Sequence, residues 1–303
     1  MGKIAAGLQQ ALEDRERDGA RGGVTGRTLA AGPGWWVDDM LCTHGPGDRP
    51  FEERHAGACI AMVVAGAFAY RSDPGRALLT PGSLLLGNDG RCFECGHVHG
   101  AGDRCLSFHF ESDYFARVAR DAGFRSPVFP HVRVPPVRHI APLVARACAG
   151  ATDAADVAWD ELAIELATAT WRALAQDPAP AAVAAPPGAM HRVAQLAREI
   201  DAAPDALHSV ASLAAQAALS DFHFLRLFRA ATGVTPHQYV LRSRLRAASL
   251  KLVDSAQKIV DVAFDAGFND VSNFNHAFRG EFGMSPRAWR AKGRDARRKA
   301  RSA

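Results

Sequence analysis

A segment in the C-terminal third of the chain occurs twice, fifty residues apart. The first copy is DFHFLRLFRAATGVTPHQY, residues 221–239, and the second is VSNFNHAFRGEFGMSPRAW, residues 271–289. Five positions are identical at this shift: Phe224/Phe274, Phe228/Phe278, Arg229/Arg279, Gly233/Gly283 and Pro236/Pro286. An internal repeat of this length indicates one supersecondary unit that the chain builds twice.

Each copy follows a short apolar segment and a turn, which is the pattern of a helix-turn-helix unit. Val210–Ala217 precede the first copy, and Ile259–Ala266 precede the second through Gly267. Glycine there favours the left-handed backbone of a tight turn. Residues suited to cap the next helix stand before it in both units: Ser220 or Asp221, and Asn269 or Asp270.

The second helix of each unit has an apolar face and an opposite, more polar face. The apolar faces are Phe224, Leu227 and Phe228, and Phe274, Ala277 and Phe278. The opposite faces are Phe222, His223, Leu225, Arg226 and Arg229, and Val271, Ser272, Asn275, His276 and Arg279. These groups suit the reading of base edges in the major groove. A single polar face on a short helix is usually only solvated, but two such faces in one basic segment favour DNA binding. Two units on one chain could enter successive major grooves, which lie about 34 Å apart on the same side of DNA.

Charge is divided unevenly along the chain. Residues 1–189 contain 18 Lys and Arg against 22 Asp and Glu, whereas residues 190–303 contain 18 against 10, a net charge of +8. The basic half therefore favours a polyanionic partner. The segment from Lys292 to Arg301 is predicted to be disordered, either adding salt-sensitive attraction to phosphates or remaining solvated and idle.

Residues 191–292 as a whole resemble the AraC/XylS family of bacterial transcription regulators. The resemblance rests on Leu213-Ala, Thr232-Gly-Val-Thr-Pro, Arg242-Ser-Arg-Leu-Arg-Ala, Ile259–Phe268 and Phe274–Arg290. It implies seven helices, two helix-turn-helix units joined by a long helix over Pro236–Val253, and sequence-specific promoter binding. The base-facing residues it implies are Phe222, Leu225 and Arg226 in the first unit and Val271, Ser272, Asn273, Asn275 and His276 in the second. Leu225 and Val271 stand where many relatives carry polar groups, which is compatible with thymine methyl contacts.

A proline-rich linker separates this region from the rest of the chain. Asp177–Gly188 carry four prolines and no polar periodicity, so we expect a semi-rigid connection. The predicted divisions are an N-terminal arm with the first strands (1–50), a sensor barrel (51–130), a helical segment (131–176), the linker (177–189), the DNA-binding domain (190–293) and a basic tail (294–303).

The N-terminal half is predicted to be a small antiparallel barrel or sandwich with flanking helices. Between residues 51 and 115, short apolar runs are separated by turn sequences such as Asp73-Pro-Gly and Pro81-Gly. A helical pattern follows over Ile140–Ala175, which forms either a dimer seam or a plain intradomain pair. The family resemblance implies a cupin-like β-barrel here that binds an effector and mediates homodimerisation.

Residues 92–105, CFECGHVHGAGDRC, concentrate thiol and imidazole groups. We predict a hairpin that turns at Gly100–Asp103. The candidate effector or metal residues are Cys92, Cys95, His97, His99, Cys105 and His109. Three interpretations stay open: a zinc or other thiophilic metal site, a thiol sensor of oxidants or electrophiles in which Arg104 favours a thiolate, and structural burial beside a pocket for an organic effector. Cys42-Thr-His44, His55 and Cys59 are possible further ligands.

Cytoplasmic localisation is expected from the absence of a signal core and of any apolar run near the ~20 residues of a membrane span. The cysteines should then be reduced. The main hypothesis is a non-enzymatic transcription regulator. Promoter DNA and a second copy of the chain are the expected partners, and RNA polymerase is a further candidate.

Two alternatives belong to other classes. A cupin-like metal enzyme would use His97-Val-His99, but no Glu follows these histidines at the spacing that metal-dependent cupins use. A DNA-repair regulator would instead carry a reactive acceptor cysteine beside the same kind of helical domain. No certain cofactor follows from the sequence.

Overall fold

The computed structural model describes residues 3–97, 100–176 and 188–300 of the chain. The strands of its N-terminal half are β1 Val24–Gly32, β2 Trp35–Cys42, β3 Phe51–Arg54, β4 Ala58–Gly66, β5 Phe68–Ser72, β6 Gly75–Leu79, β7 Leu84–Gly87, β8 Cys92–Gly96, β9 Asp103–Phe110 and β10 Arg133–Val134. The helices of this half are α1 Lys3–Asp18, α2 Ser112–Asp121, α3 Ala141–Ala151 and α4 Trp159–Gln176. Helix α1 was not predicted, although its buried Ile4 and Leu8 have helical spacing.

The strands form two antiparallel sheets that enclose an apolar core. The larger sheet has the order β1-β2-β9-β4-β7-β10, and the smaller has the order β3-β8-β5-β6. Side chains from both sheets meet between them, among them Val63, Tyr70, Leu79, Cys95 and Cys105. The predicted cupin-like antiparallel fold of the N-terminal half is therefore confirmed.

Strand β4 is buried on both faces, which explains its continuous apolar sequence. Cys59, Ala61 and Val63 lie in the core between the sheets. Ile60 and Met62 alternate with them and belong to a second core, formed with the helices. A strand covered on both sides favours apolar side chains at successive positions.

Helices α2, α3 and α4 cover the outer face of the larger sheet. Phe108 and Phe110 of β9 share a core with Phe115, Leu166 and Trp171 of these helices. The ring centroids of Phe115 and Trp171 are 4.6 Å apart. The predicted helical segment is confirmed, and its apolar face packs within the domain, while a role in dimerisation stays a prediction.

The predicted hairpin in CFECGHVHGAGDRC is wrong. Strand β8 pairs with β3 and β5 in the smaller sheet. Strand β9 pairs with β2 and β4 in the larger sheet. Alternation along a strand indicates which side chains share a face, but it does not indicate which strand lies alongside.

From residue 188 onward the described chain is helical. The helices are α5 Ala189–Ala202, α6 Val210–Gln216, α7 Asp221–Thr232, α8 Pro236–Asp254, α9 Ile259–Asp265, α10 Val271–Phe282 and α11 Pro286–Ala300. Helix α8 is the long connecting helix that was expected. The prediction of disorder after Lys292 is wrong as far as Ala300, because α11 continues through this segment of good helix formers. The linker prediction falls largely on residues 177–187, outside the described part.

Across the described ranges, no helix combines the length and apolar character needed to cross a lipid bilayer. The N-terminal half of the protein packs against both helix-turn-helix units of the C-terminal part. Ala145 and Ala149 of α3 share a core with Leu245 of α8 and Phe278 of α10. On the other side, Arg133 of β10 donates to the backbone carbonyl of Ala231 near the end of α7, where a cation is favourable.

Candidate functional site

The first helix-turn-helix unit consists of α6 and α7. Ser220 precedes α7, and its hydroxyl accepts a hydrogen bond from the backbone N–H of His223. In the turn, Ala218 has a φ of 53°, in the left-handed region that costs a non-glycine residue about 1–2 kcal/mol. The fully buried rings of Phe224 and Phe228 hold α7 in place.

The second unit consists of α9 and α10 and follows the same plan. Asp270 caps α10 by accepting hydrogen bonds from the backbone N–H groups of Ser272 and Asn273, both at 3.0 Å. Gly267 holds the turn position that Ala218 holds in the first unit, with a φ of 83°. The turn and the helix starts predicted from the sequence are confirmed, with Ser220 and Asp270 as the caps.

Several repeated residues have the same structural task in both units. Gly233 and Gly283 end α7 and α10 with left-handed φ values of 84° and 72°. Thr235 then caps α8, and the Ser285 hydroxyl accepts from the N–H of Ala288 at the start of α11. The two copies of the repeat therefore fold into the same backbone conformation.

The expected base-facing residues lie on the outer faces of α7 and α10. Phe222 is 63% exposed and Leu225 is 38% exposed. The guanidinium carbon of Arg226 lies 5.6 Å from the ring centroid of Phe222. The remaining predicted residues that are exposed are Arg229, Ser272, Asn273, Asn275, His276 and Arg279, and Val271 is half-buried. Phe222 and Leu225 thus add exposed apolar surface to an otherwise polar helix face.

An arginine that sequence reasoning did not single out holds the turn of the second unit. Arg244 of α8 donates to the backbone carbonyls of Gly267 at 2.9 Å and Pro204 at 2.7 Å. Arg246, two residues further along α8, contacts the Asp201 carboxylate of α5 at 2.7 Å. Arg244 thus ties the loop after α5 to the turn of the second unit, and the Arg242-Ser-Arg-Leu-Arg sequence was the available signal.

One end of the barrel interior gathers cysteines around a buried carboxylate. Cys42 ends β2 and pairs with Asp103, the first residue of β9. His97 follows β8, and its Nε2 lies 2.6 Å from Oδ2 of Asp103. The Cys105 thiol donates to Oδ1 of Asp103 at 3.3 Å. Together with the buried Cys95, whose pKa is raised by burial and by the nearby Asp103 and Cys42, these residues are called the thiol cluster below.

Burial disfavours the thiolate form throughout the thiol cluster. Burial, assisted by the Asp103 carboxylate, raises the pKa of Cys42 to about 12. The same causes raise the pKa of Cys95 and Cys105 well above the usual value. Arg104 does not favour a thiolate as predicted, since it pairs with Asp39 at 2.6 and 2.8 Å. Protonated, buried thiols are poor nucleophiles, so these three give no support to a redox sensor.

Two of the six candidate residues lie away from this cluster. Cys92 is exposed, whereas Cys95 on the same strand is buried. His109 stacks on Trp36 with ring centroids 5.0 Å apart, near the far end of β9. A strand rises about 3.4 Å per residue, so roughly 20 Å separate His109 from Asp103. His99 lies outside the described residues.

A two-sheet barrel followed by two helix-turn-helix units defines a two-domain protein whose C-terminal part has the fold of a DNA-binding domain. Comparison with family models agrees. An "AraC-like ligand binding domain" matches residues 42–223, more than half of the chain, and a "Helix-turn-helix domain" matches residues 213–292. The chain belongs to the AraC/XylS family of bacterial transcription regulators.

Two curated relatives match over short stretches. The probable transcriptional regulator LumQ of Photobacterium leiognathi is 43% identical over 70 residues, 23% of this chain and 28% of LumQ. The HTH-type transcriptional activator RhaS of Klebsiella pneumoniae (strain 342) is 43% identical over 83 residues, 27% of this chain and 30% of RhaS. The chain thus matches less than a third of the length of either relative.

Two solved structures show the extent of structural similarity. The DNA-binding domain of AdpA, in complex with a target DNA, is 30% identical, covers 36% of this chain and 97% of its own, and has a TM-score of 0.35. ToxT from Vibrio cholerae O395 is 11% identical, covers 86% of this chain and 98% of its own, and has a TM-score of 0.34. At these scores neither structure defines the arrangement of this chain.

Proposed function

We propose that this protein regulates transcription by binding promoter DNA through α7 and α10. The observation that carries the proposal is the exposed outer face of α7 and of α10, called the reader faces below. The two helix-turn-helix units that present them have the same backbone conformation. The half of the chain that contains them has 18 basic and 10 acidic residues. Positive charge supplies sequence-independent attraction to phosphates, and the two faces supply the choice of sequence.

The two reader faces differ in chemistry. Arg226 on α7 suits the paired acceptors of a guanine, and the exposed Phe222 and Leu225 suit thymine methyl groups. On α10, Asn275 suits adenine and His276 adds a polar contact, so this face recognises a different base pattern. We therefore expect an asymmetric recognition sequence with two parts, read in successive major grooves.

The barrel half is proposed to receive the signal. It contacts α7 through Arg133 and α10 through α3, so a conformational change in the barrel can be transmitted directly to both DNA-binding helices. An effector acts only if it binds one conformation more tightly than the other. Homodimerisation through this half, and contact with RNA polymerase when the protein acts as an activator, complete the proposal.

The two alternatives have weaker support. A repair acceptor needs an accessible, activated cysteine, but Cys42, Cys59, Cys95, Cys105 and Cys148 are buried and only Cys92 is exposed. The metal-enzyme alternative depends on His97-Val-His99 together with a following Glu, which the sequence lacks at that spacing.

A gel-shift titration with the region upstream of the protein's own gene tests the proposal. We expect Arg226→Ala and His276→Ala each to weaken specific binding roughly 5- to 150-fold, equivalent to about 1–3 kcal/mol. Arg76→Ala, an exposed arginine on β6, is the matched control and should bind like the wild type. Binding no tighter than to unrelated DNA, or full affinity in both reader variants, would refute the proposal.

A further inference from the structure

Three members of the thiol cluster, Cys42, His97 and Asp103, converge from both sheets. Cys42 and Asp103 are cross-strand partners on β2 and β9 of the larger sheet. His97 directly follows β8 of the smaller sheet. One ligand atom from each residue, a thiol sulfur, a ring nitrogen and a carboxylate oxygen, lies within 4.8 Å of the other two. A species bound between them would connect the two sheets at one end of the barrel.

All three side chains are withdrawn from water. Cys42, His97 and Asp103 are 6%, 5% and 6% exposed. The Asp103 carboxylate is compensated by His97 at 2.6 Å and by the Cys105 thiol at 3.3 Å, but apolar side chains of similar volume often give a more stable core than such buried polar partners. The convergence of sulfur, nitrogen and oxygen donors at one buried point is therefore better explained by a ligand than by packing.

The donor set matches a thiophilic divalent cation. Cysteine, histidine and carboxylate are the usual ligands of zinc, with bond lengths of about 2.3 Å to sulfur and about 2.0–2.2 Å to nitrogen and oxygen. Ligand atoms on such a tetrahedral ion lie roughly 3.3–3.8 Å apart. Atoms that lie within 4.8 Å of one another reach this spacing through small side-chain movements, in which the 2.6 Å hydrogen bond between His97 Nε2 and Asp103 Oδ2 opens by about 1 Å.

Two neighbouring side chains are placed to complete the coordination. The Cys105 sulfur lies 3.3 Å from Oδ1 of Asp103. On the opposite side, Nδ1 of His44 lies 3.3 Å from the Cys42 sulfur. A fourth ligand from either residue would give the closed site typical of structural or regulatory zinc, whereas three ligands would leave one position open.

We propose that Cys42, His97 and Asp103 bind a thiophilic divalent metal ion, of which zinc fits best. Of the sequence-based candidates this set keeps His97 and adds Cys42 and Asp103. Cys92 is exposed and His109 lies near the far end of β9, so neither can join it. The inference deepens the proposed function and rests on it in one respect, namely that the ion is the effector to which the barrel responds.

The position of Asp103 provides the link to the DNA-binding half. Its neighbour Gly102 accepts a hydrogen bond through its backbone carbonyl from Arg198 of α5, at 3.2 Å. Coordination of the Asp103 carboxylate would therefore shift the same backbone that Arg198 contacts. Metal occupancy and the position of α5 are coupled through this loop.

The test uses full-length protein that has been stripped of metal with a chelator under reducing conditions. Titration with Co²⁺ should give one equivalent of binding and a thiolate-to-cobalt charge-transfer band, which Zn²⁺ then abolishes by displacing cobalt. Zinc affinity is measured by competition with a chromophoric chelator. Cys42→Ser and Asp103→Asn should each weaken it at least about 100-fold, since even changes beyond the ligands cost roughly 10- to 100-fold.

Cys92→Ser is the matched control, because it makes the same thiol-to-hydroxyl change on an exposed residue. It should bind zinc like the wild type. Circular dichroism of each metal-free variant shows whether it is folded, and if Cys42→Ser is not, Asp103→Asn, which nearly preserves the volume, decides. No stoichiometric Co²⁺ or Zn²⁺ binding by the wild type, or unchanged zinc affinity in Asp103→Asn, overturns the site. These titrations contain no DNA, so their failure leaves promoter binding untouched, and a failed gel shift leaves the metal site untouched.

Discussion

Nη2 of Arg198, on the first helix of the DNA-binding half, lies 3.2 Å from the carbonyl oxygen of Gly102 in the barrel. The same guanidinium donates to Ala67 at 3.0 Å and to Ala101. One side chain thus joins α5 to the loop that leads into Asp103. Partial burial lowers the pKa of Arg198, but an arginine remains charged at neutral pH. This contact links the loop next to Asp103 of the thiol cluster directly to the helical domain.

Arg198→Ala should uncouple the metal site from DNA binding. In the wild type we expect zinc to change promoter affinity roughly 5- to 150-fold, the usual size of an allosteric coupling. In Arg198→Ala this ratio should approach one while zinc affinity without DNA is retained. Gel shifts with and without zinc measure the ratio, and Gln195→Ala, an exposed change on the same helix, should behave like the wild type. If zinc changed promoter affinity in Arg198→Ala as much as in the wild type, the coupling would have to run through other contacts.

Thiol accessibility should separate Cys92 from the other cysteines. It is the exposed one, whereas burial raises the pKa of Cys59 and Cys148 to about 12. Reaction of native, metal-free protein with a chromogenic disulfide reagent should therefore show one fast thiol per chain, and the rest only after denaturation. Cys92→Ser should abolish the fast phase. Two or more fast thiols would restore the redox-sensor interpretation.

The turn positions of the two helix-turn-helix units should respond in opposite ways to reciprocal changes. A Cβ on Gly267 would lie 2.8 Å from the Cα of Asp205, and its φ is 83°. Gly267→Ala should therefore lower the free energy of unfolding by at least about 1–2 kcal/mol. Ala218→Gly relieves the same backbone conformation at φ 53° and should raise it by up to about 1 kcal/mol. Denaturant unfolding followed by helical circular dichroism checks both, and destabilisation by Ala218→Gly would contradict the shared turn geometry.

A buried histidine should make the barrel sensitive to mild acid. Burial lowers the pKa of His55 to about 4, with His109 acting in the same direction, and His55 Nε2 lies 2.8 Å from the Tyr70 hydroxyl. In the unfolded chain histidine titrates near 6.5, so between about pH 4 and 6.5 the unfolded state binds more protons. The free energy of unfolding therefore falls as the pH decreases through this window, by about 2 kcal/mol at pH 5 relative to pH 7.5.

The control for this pH effect is His55→Gln, which keeps a hydrogen-bonding group without titrating. Denaturant unfolding at pH 7.5 and pH 5 should show that the variant loses about 2 kcal/mol less than the wild type on acidification. Equal losses in the two proteins would show that other groups, such as His109, carry the acid sensitivity.

The helical half was largely predictable, because its features depend on nearby residues. Ser220 and Asp270 cap helices that begin at the next residue. Gly233 and Gly283 end helices through their own backbone conformation. What could not be predicted there was Arg244, whose carbonyl partners on Pro204 and Gly267 lie far from it in sequence.

The candidate metal site could be predicted only in part. The richness of residues 92–105 in cysteine and histidine directed attention to His97, which belongs to the proposed site. The predicted hairpin, however, placed His97 on one face with Cys95 and His99, and Asp103 was interpreted as a turn residue. Strand pairing decided otherwise, since Cys42 lies opposite Asp103 in the larger sheet although 61 residues separate them in the chain.

The sequence by itself determined the family, the two helix-turn-helix units and the faces of α7 and α10, because caps, turns and helical periodicity act over a few residues. Only the tertiary structure decided which side chains meet inside the barrel. Which strands pair is determined by long-range packing of both of their faces, and the two-residue alternation of side chains along a strand does not specify its neighbours. Cys42, His97 and Asp103 are brought together by β2, β8 and β9, which meet only when the two sheets close.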